Sequence, residues 1–141
     1  MKRREMLQAG VAVAVGVTLP GTSQAQAGGS KPLGVHPLGP AFDGWQGSML
    51  EVTYAPGSVG GAHQHPGPTF GYVVKGKIRW AINGEAPKVL EPGQSFFEPM
   101  GSVHSTSANA SDTEPAVIAV VILGRQGEAL SKPAPKPGGQ D

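Results

Sequence analysis

The chain contains no cysteine. That single absence excludes disulfides, thiolate metal sites and thiol nucleophiles together, and it leaves the redox compartment open. Charge is sparse: 15% of the 141 residues are Asp, Glu, Lys or Arg, and the net charge is +1. No basic run interrupts the body of the chain, so nucleic acid is not an expected partner, because phosphate binding needs clustered Lys and Arg. No window holds a helical period, and no Ser-His-Asp set, phosphate loop or pair of carboxylates stands out. What is abundant is glycine and proline, 22 and 14 residues. That composition disfavours a helical bundle and suits many short strands joined by turns. The length is enough for one domain.

Residues 1–27 read as a cleaved leader. Met1 to Leu7 is a basic stretch, and the apolar run from Ala9 to Leu19 is too short to span a bilayer comfortably. Pro20 and Gly21 break that run, and Ala25-Gln26-Ala27 is a small-residue cleavage site. Arg3-Arg4, close before Met6-Leu7, resembles a twin-arginine signal, whose export route carries folded proteins. An ordinary secretory leader that begins with basic residues is the alternative. The leader holds three of the 11 Lys+Arg and one of the 10 Asp+Glu, so the remaining chain carries 8 against 9. The expected location is periplasmic or otherwise exported, with no membrane partner after cleavage.

Beyond the leader, residues 28–46 are Gly/Pro-rich and weakly patterned, and are expected to be an extension. His36, within them, lacks a spaced partner and reads as a surface or edge histidine. Residues 47–124 carry the strand signals. Alternation predicts strands over 48–55, 69–75, 77–82, 86–90, 94–98 and 102–107. Asn83-Gly84 is a hairpin signal, since both residues tolerate positive φ. The nearly unbroken apolar run over 115–123 predicts a strand covered on both faces. Residues 125–141 are polar and proline-rich, and are expected to form a disordered tail.

The chemistry concentrates in two segments. In the first, His63-Gln64-His65 precedes Pro66-Gly67-Pro68-Thr69-Phe70-Gly71-Tyr72 and the run closes at Gly76. Side chains at i and i+2 of a strand share a face, so both imidazoles can aim at one point. In the second, Gly93 is followed by Pro99, Gly101, His104 and Asn109. A lone histidine usually plugs an interior. Three at these spacings are better explained as ligands of a metal.

The two segments together resemble the paired motifs of the cupin superfamily, over residues 47–123. The resemblance implies an all-β double-stranded β-helix, a jelly-roll barrel, with one divalent metal inside it. The ligands it implies are His63, His65 and His104. The family's fourth ligand, a Glu or Gln, falls at Thr69, whose short neutral hydroxyl is a poor ligand. Three neutral imidazoles suit Fe²⁺, Mn²⁺, Zn²⁺, Ni²⁺ or Cu²⁺ and leave positions open for water or a small-molecule ligand.

Glu98 is the carboxylate nearest in sequence to a ligand histidine. Strand parity leaves it either outward at a strand end, or inward as an acid/base group or a replacement ligand. Tyr72 and Trp80 are expected in the core. Asn109 is expected to satisfy backbone groups rather than to bind anything. Two functions stay open. One is a metal-dependent dioxygenase-like enzyme on a substrate that chelates through oxygen, with Glu98 as proton acceptor. The other is a non-catalytic periplasmic module that binds a metal or a small ligand. Because an open sheet edge needs cover, a homodimer is the default expectation.

Overall fold

The computed structural model of the chain describes residues 28–136. The expected leader, residues 1–27, lies outside them, as do residues 137–141. Ten strands and one short 3₁₀ turn, Pro40–Phe42, account for the regular structure. The strands are β1 Ser30–Pro37, β2 Trp45–Tyr54, β3 His63–Gln64, β4 Thr69–Lys75, β5 Ile78–Ile82, β6 Lys88–Leu90, β7 Ser95–Glu98, β8 His104–Asn109, β9 Ala116–Arg125 and β10 Lys132–Pro133. Among the described residues no helix is long and apolar enough to cross a membrane.

The strands form two antiparallel five-stranded sheets, ordered β1-β2-β9-β4-β7 and β10-β3-β8-β5-β6. The longest pairing joins β2 to β9, from Trp45 opposite Arg125 to Tyr54 opposite Ala116. Period-two burial explains why these segments form strands. Along β4, Thr69, Gly71 and Val73 are buried while Phe70, Tyr72 and Val74 are exposed. Along β7, Phe96 and Glu98 are buried while Ser95 and Phe97 are exposed. The inward side chains from both sheets meet in one core of Val52, Tyr54, Val73, Ile78, Trp80, Phe96, Ala116, Ile118, Val120 and Ile122. This is the jelly-roll arrangement, in which two sheets share a single interior.

The turns follow the glycine and asparagine signals. Asn83 and Gly84 take positive φ, 53° and 74°, between β5 and β6. The Asn83 side chain then docks on the loop before β8, where its Oδ1 accepts from Val103 N at 3.0 Å. Gly71 has a different reason. It lies opposite Phe96 across β4 and β7, and a Cβ there would sit 2.0 Å from the Phe96 ring. The missing side chain makes room for that ring over β4.

Several expectations change. Residues 30–37 are a strand rather than a loose extension, because pairing with β2 uses main-chain groups and needs no side-chain pattern. Its prolines are tolerated because β1 is an edge strand. The tail is structured over its described part: Lys132–Pro133 pairs with His63–Gln64, and Leu130 packs on the core. Composition hid this, because one apolar anchor and a free strand edge are enough to hold a short polar segment. The strand β9 is fully covered on one face and partly on the other, with Ile118, Val120 and Ile122 buried and Val117, Ala119 and Val121 half-buried. Tyr72 faces outward and is half exposed rather than core. His36 is exposed on the edge strand.

Candidate metal centre

His63 and His104 are direct cross-strand partners, the one residue pair that joins β3 to β8 in register. His65 follows β3 by one residue, so the i, i+2 geometry brings its ring to the same place. The ring centroids of His63 and His104 are 4.8 Å apart, and those of His63 and His65 are 4.9 Å apart. One nitrogen from each of the three imidazoles lies within 4.8 Å of the others. Metal–imidazole bonds run to about 2.0–2.1 Å, so a small closing movement of the rings would bring the three nitrogens onto one ion.

Hydrogen bonds sort the nitrogens. His63 Nδ1 donates to the Gly61 carbonyl at 2.8 Å, and His65 Nδ1 donates to the Leu130 carbonyl at 2.7 Å. A carbonyl accepts only from an N–H, so both rings must carry the proton on Nδ1. Each Nε2 is then left with a bare lone pair. Such an outer hydrogen bond is the usual device that orients an imidazole for metal ligation. Neither buried nitrogen of His104 makes a well-directed hydrogen bond, although the Thr106 main chain and Glu98 Oε1 lie close. An unpartnered buried nitrogen costs roughly 1–3 kcal/mol. A metal would relieve that cost, so the donor set fits the ion that the sequence implies.

Burial keeps the three rings neutral. It pushes His63 and His65 below the ordinary 6.5. It pushes His104 furthest, to about 3, with repulsion from the other two rings adding to it. Neutral imidazole is the form that binds metal.

Glu98 resolves inward. It is buried, on the same strand parity as Phe96. Its Oε1 accepts from Trp80 Nε1 at 3.2 Å and comes within 3.1 Å of His104 Nδ1, in a direction that makes no hydrogen bond. Its Oε2 faces His65 Nε2 at 3.6 Å. One oxygen is thus tied to the indole while the other looks toward the bare nitrogen. Burial raises the carboxyl above its ordinary 4.5, and the Trp80 hydrogen bond pulls partly against that.

Thr69 is also buried, but its hydroxyl turns back to donate to the Gly67 carbonyl at 3.2 Å. Asn109 behaves as expected. Its Nδ2 donates to the carbonyls of Tyr54, Ala55 and Glu114, and its Oδ1 accepts from Ser111 N.

Sequence reasoning missed two contributors. Trp80 is core, as expected, but its indole N–H also pins Glu98. A tryptophan in a strand that alternates with apolar residues gives no sign of which polar group its N–H will meet. The Leu130 carbonyl was hidden in a stretch that composition marks as unfolded.

A double-sheet jelly roll with inward histidines from two neighbouring strands defines a class of small β-barrel proteins built around an interior site. The chain belongs to the cupin domain family, whose model matches residues 50–122, more than half of the chain. Among solved structures it is similar to a cupin-like protein from Thermotoga maritima, at 21% identity over 74% of each chain with a TM-score of 0.56. It is also similar to the DMSP lyase DddQ from Ruegeria pomeroyi, at 24% identity and a TM-score of 0.54. That match covers 67% of this chain and 45% of the lyase, so the chain spans under half of the lyase's length. A third is a double-stranded β-helix protein from Klebsiella pneumoniae, at 20% identity, a TM-score of 0.51, and coverage of 61% of this chain and 75% of that one. At these identities the likeness is one of fold. No curated protein matches the chain.

Proposed function

We propose that this chain is an exported metal-dependent enzyme of the dioxygenase-like kind, acting on a small substrate that presents paired oxygens. His63, His65 and His104 hold one divalent metal, drawn from Fe, Mn, Zn, Ni or Cu, and Glu98 accepts the substrate's proton. The observation that carries the reading is the convergence of three neutral imidazoles, two with tautomers fixed by carbonyls, on a point that a buried carboxylate also faces.

A bound divalent metal supplies Lewis acidity, which favours the ionised form of an enol or catechol. The chain's own residues do the rest. Trp80 fixes Glu98 through Oε1, leaving Oε2 free toward the interior. Burial raises the carboxyl's proton affinity, which suits a group that must take a proton near neutral pH. Phe96, whose ring lies 6.2 Å from His104, and Ile122, opposite Thr69, set apolar core against the site.

Export rests on the leader-like residues 1–27, with the Arg3-Arg4 pair favouring the twin-arginine route to the periplasm. A homodimer belongs to the same proposal, and sedimentation velocity tests it.

The second reading is a non-catalytic binding module for a metal or small ligand. One observation favours it: the family's usual fourth position carries Thr69, a neutral hydroxyl held back toward the Gly67 carbonyl and a weaker ligand than a carboxylate. The deciding experiment starts with metal analysis of protein purified from the periplasm. If the protein carries no metal, and added Fe²⁺ or Zn²⁺ leaves its melting temperature unchanged, the metal claim fails. Oxygen uptake by the iron-loaded form with flavonols, catechols and diketones then separates the two readings. Uptake supports the enzyme, and none supports the binding module.

A further inference from the structure

We infer that residues 128–134 form a strap that is part of the metal site, with Leu130 as a positioning residue acting through its main-chain carbonyl. The consequence for metal affinity rests on the metal-binding reading above; the consequence for His65 does not.

After β9 the chain turns at Gly127, which has a φ of +85°. The turn is closed by Arg125 N donating to Glu128 Oε1 at 2.8 Å and Glu128 N donating to Arg125 O at 3.2 Å. The chain then doubles back over the histidine segment. The Leu130 side chain is partly buried and packs against the core. Its carbonyl takes the His65 Nδ1 proton at 2.7 Å. Lys132 and Pro133 pair with Gln64 and His63, and Ala134 N donates to the Ala62 carbonyl at 3.1 Å. The strap therefore grips residues 62–64, immediately beside the one hydrogen bond that matters to His65.

The two orienting bonds differ in kind. His63 is held by Gly61, two residues away, within its own turn. His65 is held by Leu130, 65 residues away. An imidazole left without a partner divides its proton between two tautomers, and only one of them presents a bare Nε2 to the site. The position of Leu130 thus decides whether His65 is a prepared ligand. Few apolar contacts hold the strap, with Lys132 and Pro133 exposed, so it belongs to the easily opened part of the molecule.

The test uses the full chain with two independent ways of loosening the strap. Leu130→Ser removes the apolar anchor, and Ala134→Pro removes the N–H that bonds Ala62. Leu130→Met is the conservative control. The first readout is the imidazole nitrogen NMR of the metal-free protein. In the parent chain both His63 and His65 show the Nδ1–H form. In Leu130→Ser and Ala134→Pro, His65 becomes a tautomer mixture while His63 does not change. The second readout is Zn²⁺ affinity by competition titration, which falls about tenfold in the loosened variants and is kept in Leu130→Met. An unchanged His65 tautomer in both loosened variants overturns the assignment. A shifted tautomer in a parent-type fold that binds no Zn²⁺ supports the strap and sinks the metal reading instead.

Discussion

Thr69 and Glu98 stand directly opposite each other, one on β4 and one on β7, and both side chains point into the interior. Opposed residues of an antiparallel pair have Cβ atoms about 4.5–5.5 Å apart. The position where the resemblance expects a Glu or Gln ligand is a threonine, and its neighbour across the ladder is a glutamate. The carboxyl of Glu98 thus sits one strand away from Thr69 on the same interior face.

That relationship makes a compensation test. Glu98→Gln removes the charge next to three neutral imidazoles and is expected to lower Zn²⁺ affinity about tenfold. Adding Thr69→Glu to that variant restores most of the loss, because the second carboxylate enters from the opposite rung. Thr69→Glu alone crowds two buried carboxyls and is expected to destabilise the metal-free protein by about 1–3 kcal/mol. Competition titration and urea denaturation measure the two effects. Failure of the double variant to regain affinity would show that the two positions are not equivalent.

Trp80→Phe keeps an aromatic ring against Phe96 but removes the donor to Glu98 Oε1. A buried acceptor that loses its partner costs roughly 1–3 kcal/mol. The same change frees Glu98 to rotate, so any turnover should fall more than stability does. A variant with stability lowered and catalytic rate constant intact would separate Trp80 from the chemistry.

The metal-free protein should be sensitive to acid. Burial lowers the three histidines from 6.5, His104 to about 3. Between those values the unfolded chain binds protons that the folded one refuses, so stability rises with pH there. The contribution of the rings is complete above about 6.5 and is lost as pH falls through the window. Glu98 runs the other way. Its raised folded value makes its contribution largest below 4.5 and smaller as pH rises above that. Three rings against one carboxyl leave the acid side in control, with a loss on the order of a few kcal/mol by pH 4. Denaturation midpoints across pH 4–8, with and without Zn²⁺, check this; a flat profile in the metal-free form would contradict it.

How much of this was legible in the sequence depends on what each feature uses as its signal. The strand from Thr69 to Lys75 was readable to the residue, because alternation and a closing glycine mark it. His63 and His65 were legible from spacing as a same-face pair, and His104 through the resemblance of the two segments to the family's motifs; the fold brings the three together. The facing of Glu98 was not: Phe96 and Phe97 sit side by side, either could have been the inward ring, and Glu98 shares the parity of Phe96. Gly71 holds the missing clue, since the ring opposite it needs the space that a glycine leaves. β1 and β10 were invisible because both are held mainly by main-chain pairing, which no side-chain pattern reports.

Gly71→Ala follows from that clue. The added methyl meets the Phe96 ring, which also packs 5.4 Å from Trp80 and 6.2 Å from His104. Overpacking of this kind costs about 1–3 kcal/mol. Any shift of the ring disturbs its packing on Trp80 and His104, so Zn²⁺ affinity should drop as well. Denaturation and titration of the same variant test both parts.

Asn109→Asp keeps the shape of the side chain and its acceptor for Ser111 N, but loses the Nδ2 group that serves three carbonyls. It should cost about 2–4 kcal/mol with no direct effect on the metal-binding rings. A variant that keeps parent stability would show that those carbonyls find other donors.

The distance along the chain between His65 and the carbonyl that orients it also sets an order of events. A ribosome makes His63, His65 and His104 well before Leu130. A nascent chain can therefore display all three imidazoles while the last of the orienting groups is still unmade. Closure across 65 residues is slow compared with the two-residue turn at Gly61. His63 is prepared early and His65 late. On the metal-binding reading, capture of the ion would therefore come last, once the finished chain has closed Leu130 onto His65.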